Sequence, residues 1–161
     1  TGEHDCIGRY FISVRWHPAN KTVLAYTDYC DALDGRESSN ATVVFDSATR
    51  RTVSTSWLED ATWSPDGRYL VGTSAPNSDV DEPPSVNRVK WTPGASVSFV
   101  NYVVPTDPNW ILRYSSPEYS PDGLRVAYTR SGPKGFGVWT SPALGGTPKM
   151  LISGYSAVDW R

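Results

Sequence analysis

Four segments of this chain can be laid over one another: Ser13-Val14-Arg15-Trp16-His17-Pro18, Asp60-Ala61-Thr62-Trp63-Ser64-Pro65-Asp66-Gly67, Pro117-Glu118-Tyr119-Ser120-Pro121-Asp122-Gly123 and Ala157-Val158-Asp159-Trp160-Arg161. Each carries an aromatic anchor, followed in the middle two by Ser-Pro-Asp-Gly. Trp16 to Trp63 is 47 positions, Trp63 to Tyr119 is 56, and Tyr119 to Trp160 is 41. A unit that recurs every ~40–50 residues cannot bury its apolar face alone and has to stack on its neighbours. The wide middle interval implies an insertion.

The turn in each copy has a physical reading. In Ser-Pro-Asp-Gly, the proline presets φ for the second position of a type I turn, and the glycine accepts the left-handed φ that follows. Such a turn closes a short hairpin. A β-rich run follows each copy: 22–27 after the first, 68–73 after the second and 124–129 after the third. The first copy has Pro18-Ala19-Asn20-Lys21 in place of Pro-Asp-Gly, and Asn20 is its expected left-handed residue. Ile12, Val14 and Trp16 alternate with Ser13, Arg15 and His17, which predicts a strand with the first set buried. Further strands are expected at 41–46, 51–56, 85–91, 96–104, 136–140 and 148–152. Thirteen glycines and thirteen prolines argue against helices, and no stretch keeps a 3.6-residue period.

On these residues the chain resembles the TolB-type β-propeller repeat. The third copy carries most of that pattern: Tyr119-Ser120-Pro121-Asp122-Gly123, then Val126-Ala127-Tyr128, Val138-Trp139, Gly145-Gly146 and Leu151. The second copy matches in its first half, and the first is degenerate. The resemblance implies an all-β fold of three four-stranded antiparallel blades, with blade one at about 10–57, blade two at about 58–104 and blade three at about 115–153. Residues 155–161 would close a ring or begin another blade. Propellers usually have four to eight blades. Three blades leave unpaired edges that invite association. A longer parent chain or self-association, as a homo-oligomer, would complete them.

Seven Trp and nine Tyr supply much of the burial area expected of 161 residues. The formal net charge of −2 shows no concentrated basic face, so nucleic acid is not an expected partner. No apolar run approaches the ~20 residues of a membrane-spanning helix. The first residue is Thr1, which is read as processing or truncation upstream. Cys6 and Cys30 lack a second pair at zinc-like spacing. They are read as one disulfide in an exported protein, with two free thiols as the alternative. Asn20-Lys21-Thr22 and Asn40-Ala41-Thr42 match the glycan acceptor triplet at Asn20 and Asn40.

No catalytic constellation is legible. There is no Gly-x-Ser-x-Gly, and the two histidines, His4 and His17, read as a solvated terminus and a turn residue. Ser131-Gly132-Pro133-Lys134 lacks the partner motifs of a Ser-x-x-Lys site and reads as a loop. Asp28, Asp31, Asp34 and Glu37 form one acidic group and Asp79, Asp81 and Glu82 another. Neither has the regular calcium-loop spacing, so they are read as solvated charge and no cofactor is expected, with calcium on either loop as the alternative. The segment 105–114 joins blades two and three. Its Asp107, Asn109, Trp110, Arg113 and Tyr114 are the residue types enriched at recognition hot spots, against the alternative that Trp110 simply packs between blades. The expected function is a non-catalytic exported module that binds protein or acts as a scaffold. The alternatives are a structural subunit of an extracellular assembly and the accessory propeller of a larger hydrolase.

Overall fold

The computed structural model describes residues 6–32, 39–74, 83–95, 97–104, 112–133 and 135–155, with backbone alone for 6–10, 31–32, 39–40 and 54–55. The described strands are β1 (Cys6–Trp16), β2 (Val23–Ala32), β3 (Ser39–Asp46), β4 (Arg51–Ser56), β5 (Glu59–Trp63), β6 (Tyr69–Ser74), β7 (Ser85–Lys90), β8 (Ser98–Val104), β9 (Arg113–Tyr119), β10 (Arg125–Gly132), β11 (Gly135–Pro142) and β12 (Lys149–Ser153). They form three four-stranded antiparallel sheets, each a simple meander: β1–β4, β5–β8 and β9–β12. The chain is thus three blades of a β-propeller, a partial ring. Among the described residues no helix is long and apolar enough to cross a membrane.

Blade two is buried on both faces. Towards blade one, Leu58, Ala61, Trp63, Leu70, Val89 and Trp91 close a core with Val23, Ala25 and Val44. Towards blade three, Val71, Val86 and Val103 meet Tyr114, Tyr119, Val126 and Tyr128. Burial of these apolar faces, at ~25 cal/mol per Å², is what holds one sheet to the next.

The two Ser-Pro-Asp-Gly turns make the same hydrogen bonds. Ser64 Oγ donates to Asp66 Oδ1 at 2.6 Å and accepts from the Tyr69 N–H at 3.0 Å; Ser120 Oγ does the same with Asp122 at 2.6 Å and Arg125 at 3.0 Å. Gly67 and Gly123 both have φ 71°. The Ser120 hydroxyl and the Leu124 N–H hold the Asp122 carboxyl below its usual 3.8.

Blade one departs from two expectations. Asn20 is not among the residues with positive φ. The His17 N–H bonds the Val23 carbonyl, six residues on, whereas the Ser64 N–H bonds the Tyr69 carbonyl five residues on. The extra residue relaxes the turn, so no left-handed position is needed. Asn20 Oδ1 instead accepts from the Thr22 N–H at 3.0 Å. The expected alternation in β1 also fails. Ile12, Val14 and Trp16 are exposed, Trp16 at 58%, while His17 is buried. A register shift between Ile12 and Arg15 breaks the alternation. In addition, among the described residues no sheet lies on the Trp16 side of blade one.

Candidate functional site

The first strand of each blade carries the same distortion. Ser13, Asp60 and Ser116 have φ of 55°, 48° and 49°, and each lies three residues before its anchor, Trp16, Trp63 or Tyr119. Each sits at a register shift between the first and second strands of its blade. Left-handed φ in a non-glycine residue costs ~1–2 kcal/mol, so three repeats of it require compensation. Asp60 supplies it. One carboxylate oxygen accepts from Ser13 Oγ–H of blade one, and the other accepts from the Ser116 N–H of blade three at 2.6 Å. The Asp60 N–H donates to Thr27 Oγ1 at 3.0 Å. A single side chain thus fastens the first strands of all three blades.

His17 makes a second junction between blades. Its Nδ1 accepts from the Ala19 and Asn20 N–H groups at 3.1 and 2.9 Å, so Nε2 carries the proton and donates to the Gly67 carbonyl at 3.0 Å. The ring packs edge-on against Trp63 at 4.8 Å and lies 5.2 Å from Trp91. Both nitrogens are engaged in holding turns, which leaves His17 no free nitrogen to serve as a base.

Among the described residues a concave feature lies on blade three. Tyr128 opposes Trp139, and Trp139 opposes Met150, so all three share one face of the sheet, with Arg130 two residues beyond Tyr128. Tyr128 ends in the core towards blade two. Past it the face opens into a groove of about 810 Å³ lined by Leu112, Arg130, Phe136, Trp139, Met150 and Gly154. The Arg130 guanidinium stands 4.8 Å from the centre of the Trp139 ring, within cation–π range. Among the described lining residues the walls are mostly apolar, and the guanidinium of Arg130 has partners of its own besides the Trp139 ring.

Of the residues expected at the connecting loop, Asp107, Asn109 and Trp110 lie outside the described residues. Arg113 and Tyr114 are not loop but part of β9. Arg113 is exposed and donates to the Leu112 carbonyl at 2.9 Å. Tyr114 is buried, edge-on to Tyr128 at 5.8 Å, and is a packing residue. Strand pairing sets Arg9 opposite Cys30 and Cys6 opposite Ala32, and no free cysteine is found among the described residues. The side chains of Cys6 and Asn40, with all of Trp160, His4, Asp34, Glu37, Asp79, Asp81 and Glu82, lie outside the described residues. Among those described, no group of three potential metal ligands occurs. Pro18, Pro65 and Pro121 are exposed turn residues. The residues not foreseen are Asp60, Thr27, Arg130 and Trp139.

No family model matches the chain, and no curated protein matches it. Solved structures do. The β-propeller domain of the Trilobed protease from Pyrococcus furiosus is 16% identical with a TM-score of 0.52, covering 86% of this chain and 41% of that one. Prolyl oligopeptidase B from Galerina marginata is 11% identical with a TM-score of 0.57, covering 92% and 23%. The periplasmic gluconolactonase of Pseudomonas aeruginosa is 19% identical with a TM-score of 0.52, covering 78% and 38%. At these identities the likeness is one of fold. The chain spans less than half the length of each.

Proposed function

We propose that this chain is a non-catalytic propeller module, of the TolB-type repeat, that binds protein through the groove on blade three. The observation that carries the reading is the Arg130 guanidinium beside the Trp139 face in a groove otherwise walled by Leu112, Phe136 and Met150. The occupant it suits is an extended peptide with an apolar side chain next to a carboxylate. The adjoining edge strand β12 adds to this: Met150, Leu151 and Ile152 are all about half exposed. A peptide strand can pair with such an edge while its side chains enter the groove. The repeat assignment is supported by the two matching Ser-Pro-Asp-Gly turns. Export, a Cys6–Cys30 bridge, glycans at Asn20 or Asn40, and completion of the ring by a longer chain or by a second copy belong to the same reading.

The test is selection from a random peptide library on the immobilised protein. Enriched peptides should pair an apolar residue with an acidic one, and Trp139→Ala should weaken them by tenfold or more. Arg130→Gln should weaken acidic peptides selectively. A library that yields no enrichment, or peptides indifferent to both variants, removes the groove as the site. A second reading, the accessory propeller of a larger hydrolase, is favoured by the peptidases among the similar structures, of which this chain matches only a part. Peptidase or lactonase activity in a longer product of the same gene would establish it.

A further inference from the structure

The groove on blade three occupies a place that the repeat closes in blade two. Gly72 and Ser74 stand nine and eleven residues after Trp63, as Tyr128 and Arg130 stand after Tyr119. Gly72 opposes Asn87 and Ser74 opposes Ser85, just as Tyr128 opposes Trp139 and Arg130 opposes Gly137. In blade two this corner is sealed by its own hydrogen bonds. Asn87 Nδ2 donates to Ser85 Oγ at 2.7 Å, and the Ser74 and Ser85 hydroxyls lie 2.7 Å apart. Ser85 and Asn87 are fully buried. Blade three has Arg130, Gly137 and Trp139 in place of Ser74, Ser85 and Asn87, and Arg130 and Trp139 line an open groove. Arg130 has partners of its own. A guanidinium carries several N–H donors in a fixed fork, so it can serve a further acceptor.

The spacing inside the groove selects among the acids that could enter it. The Arg130 guanidinium is 4.8 Å from the centre of the Trp139 ring, so the place for a carboxylate and the place for an apolar group lie within one residue of each other. In an extended peptide the side chains of adjacent residues point to opposite faces, and those two apart stand roughly 6.5–7 Å from each other. An aspartate or glutamate next to the apolar residue therefore faces away from the groove, and one two residues along starts too far off. A chain terminus has no such conflict, because the α-carboxylate and the last side chain leave the same Cα. We propose that the groove takes the free C-terminus of a protein chain that ends in an apolar residue. The last side chain packs on Trp139, Phe136 and Met150, and the α-carboxylate accepts from Arg130. The proposal rests on the reading of the groove as a peptide site and narrows the partner from any acidic peptide to a chain end.

The probe is a pool of short random peptides, labelled at the N-terminus and made once as the free acid and once as the C-terminal amide. Peptides retained by the immobilised full chain should end in Leu, Ile, Met or Phe. In fluorescence anisotropy the free acid of each should bind roughly tenfold or more tighter than its amide. A glycine added after the last residue should cost about as much, because it moves the carboxylate off the apolar residue. Arg130→Gln should bring the acid down to the affinity of the amide, whereas Trp139→Ala should weaken both alike. Peptides that bind equally well as acid and amide, and that weaken in Trp139→Ala, overturn this proposal and leave the groove as a peptide site. Retention of no peptide in either form, or of peptides indifferent to both variants, overturns the two readings together. If Trp139→Ala does not fold, the comparison of acid with amide on the unmodified chain and on Arg130→Gln decides.

Discussion

Removing the Asp60 carboxylate should loosen all three blades at once. In Asp60→Ala the Ser116 N–H loses its acceptor at 2.6 Å and the Ser13 hydroxyl loses its own. Hydrogen bonds to a charged group contribute ~1.5–3 kcal/mol each. Solvent screening pulls them to the low end here, because Asp60 is only partly buried. Alanine must also hold a φ of 48° without the local help an aspartate gives itself, which adds ~1 kcal/mol. The expected loss is about 3–5 kcal/mol, a large share of the 5–15 kcal/mol typical of a folded domain. Asp60→Asn tolerates the left-handed φ and keeps one acceptor, so it should lose only about 1–2 kcal/mol. Ser13→Ala should lose about 1 kcal/mol. Urea unfolding followed by tryptophan fluorescence gives all three, and the Ser13→Ala/Asp60→Ala double variant gives the coupling between the two residues. A coupling near zero, or an Asp60→Ala chain within about 1 kcal/mol of the parent, would refute the idea that this carboxylate ties the blades together.

Two glycines with the same φ of 71° should respond differently to alanine. A Cβ at Gly67 would lie 2.3 Å from the His17 ring, whereas at Gly123 its nearest neighbour is Pro65 at 3.5 Å. Gly123→Ala should therefore show only the left-handed penalty, ~1–2 kcal/mol, while Gly67→Ala adds the displacement of His17 from its hydrogen bonds, for a total of about 3–4 kcal/mol in thermal unfolding. Equal losses would mean that His17 yields without consequence. At alkaline pH the fold should resist two of its nine tyrosines. Burial pushes Tyr119 up to about 12, opposed by the neighbouring Arg88, and burial does the same for Tyr128. A raised pKa favours the protonated fold, so this stability is intact below the ordinary tyrosine value of 10.0 and is lost as pH rises towards 12. Absorbance at the phenolate band should show two tyrosines ionising late and together with unfolding. Early ionisation of all nine would contradict the packing.

The parts of the fold that could be read from the residues are those fixed within a few positions. The Ser-Pro-Asp-Gly turns carry their own hydrogen-bonding groups, so 64–67 and 120–123 are the same in sequence and in hydrogen bonding. The left-handed residues were not legible, because Ser13, Asp60 and Ser116 are not glycine and their strain is offset by a carboxylate or hydroxyl from another blade. Only the regular place three residues before the anchor marks them. The groove was hidden for a related reason. Arg130 and Trp139 face one another only once the β10–β11 register sets Tyr128 opposite Trp139, and nothing in either segment alone states that register. The loop expected to carry recognition gave up Tyr114 to the core because the ring completes an aromatic pair with Tyr128 across β9 and β10.

The anchors show how far a repeat can be read and where reading stops. Trp63 and Trp16 occupy the same position, before the same turn, opposite Leu70 and Leu24 in the same register. Trp63 is buried because blade one lies against it and offers the Arg15 carbonyl to its indole N–H at 3.2 Å. Trp16 is 58% exposed because no described blade lies on its side. Half of a tryptophan surface is roughly 100 Å², worth about 2–3 kcal/mol if covered. The same side of β1 also exposes Phe11, its ring set edge-on to Tyr26 at 5.1 Å. Position in the repeat therefore fixes which way an anchor faces, and a neighbouring sheet fixes whether it is buried. The two flanks of the stack differ accordingly: the face of Ala127 and Thr129 is small and already closed, while the face of Trp16 is large, aromatic and open.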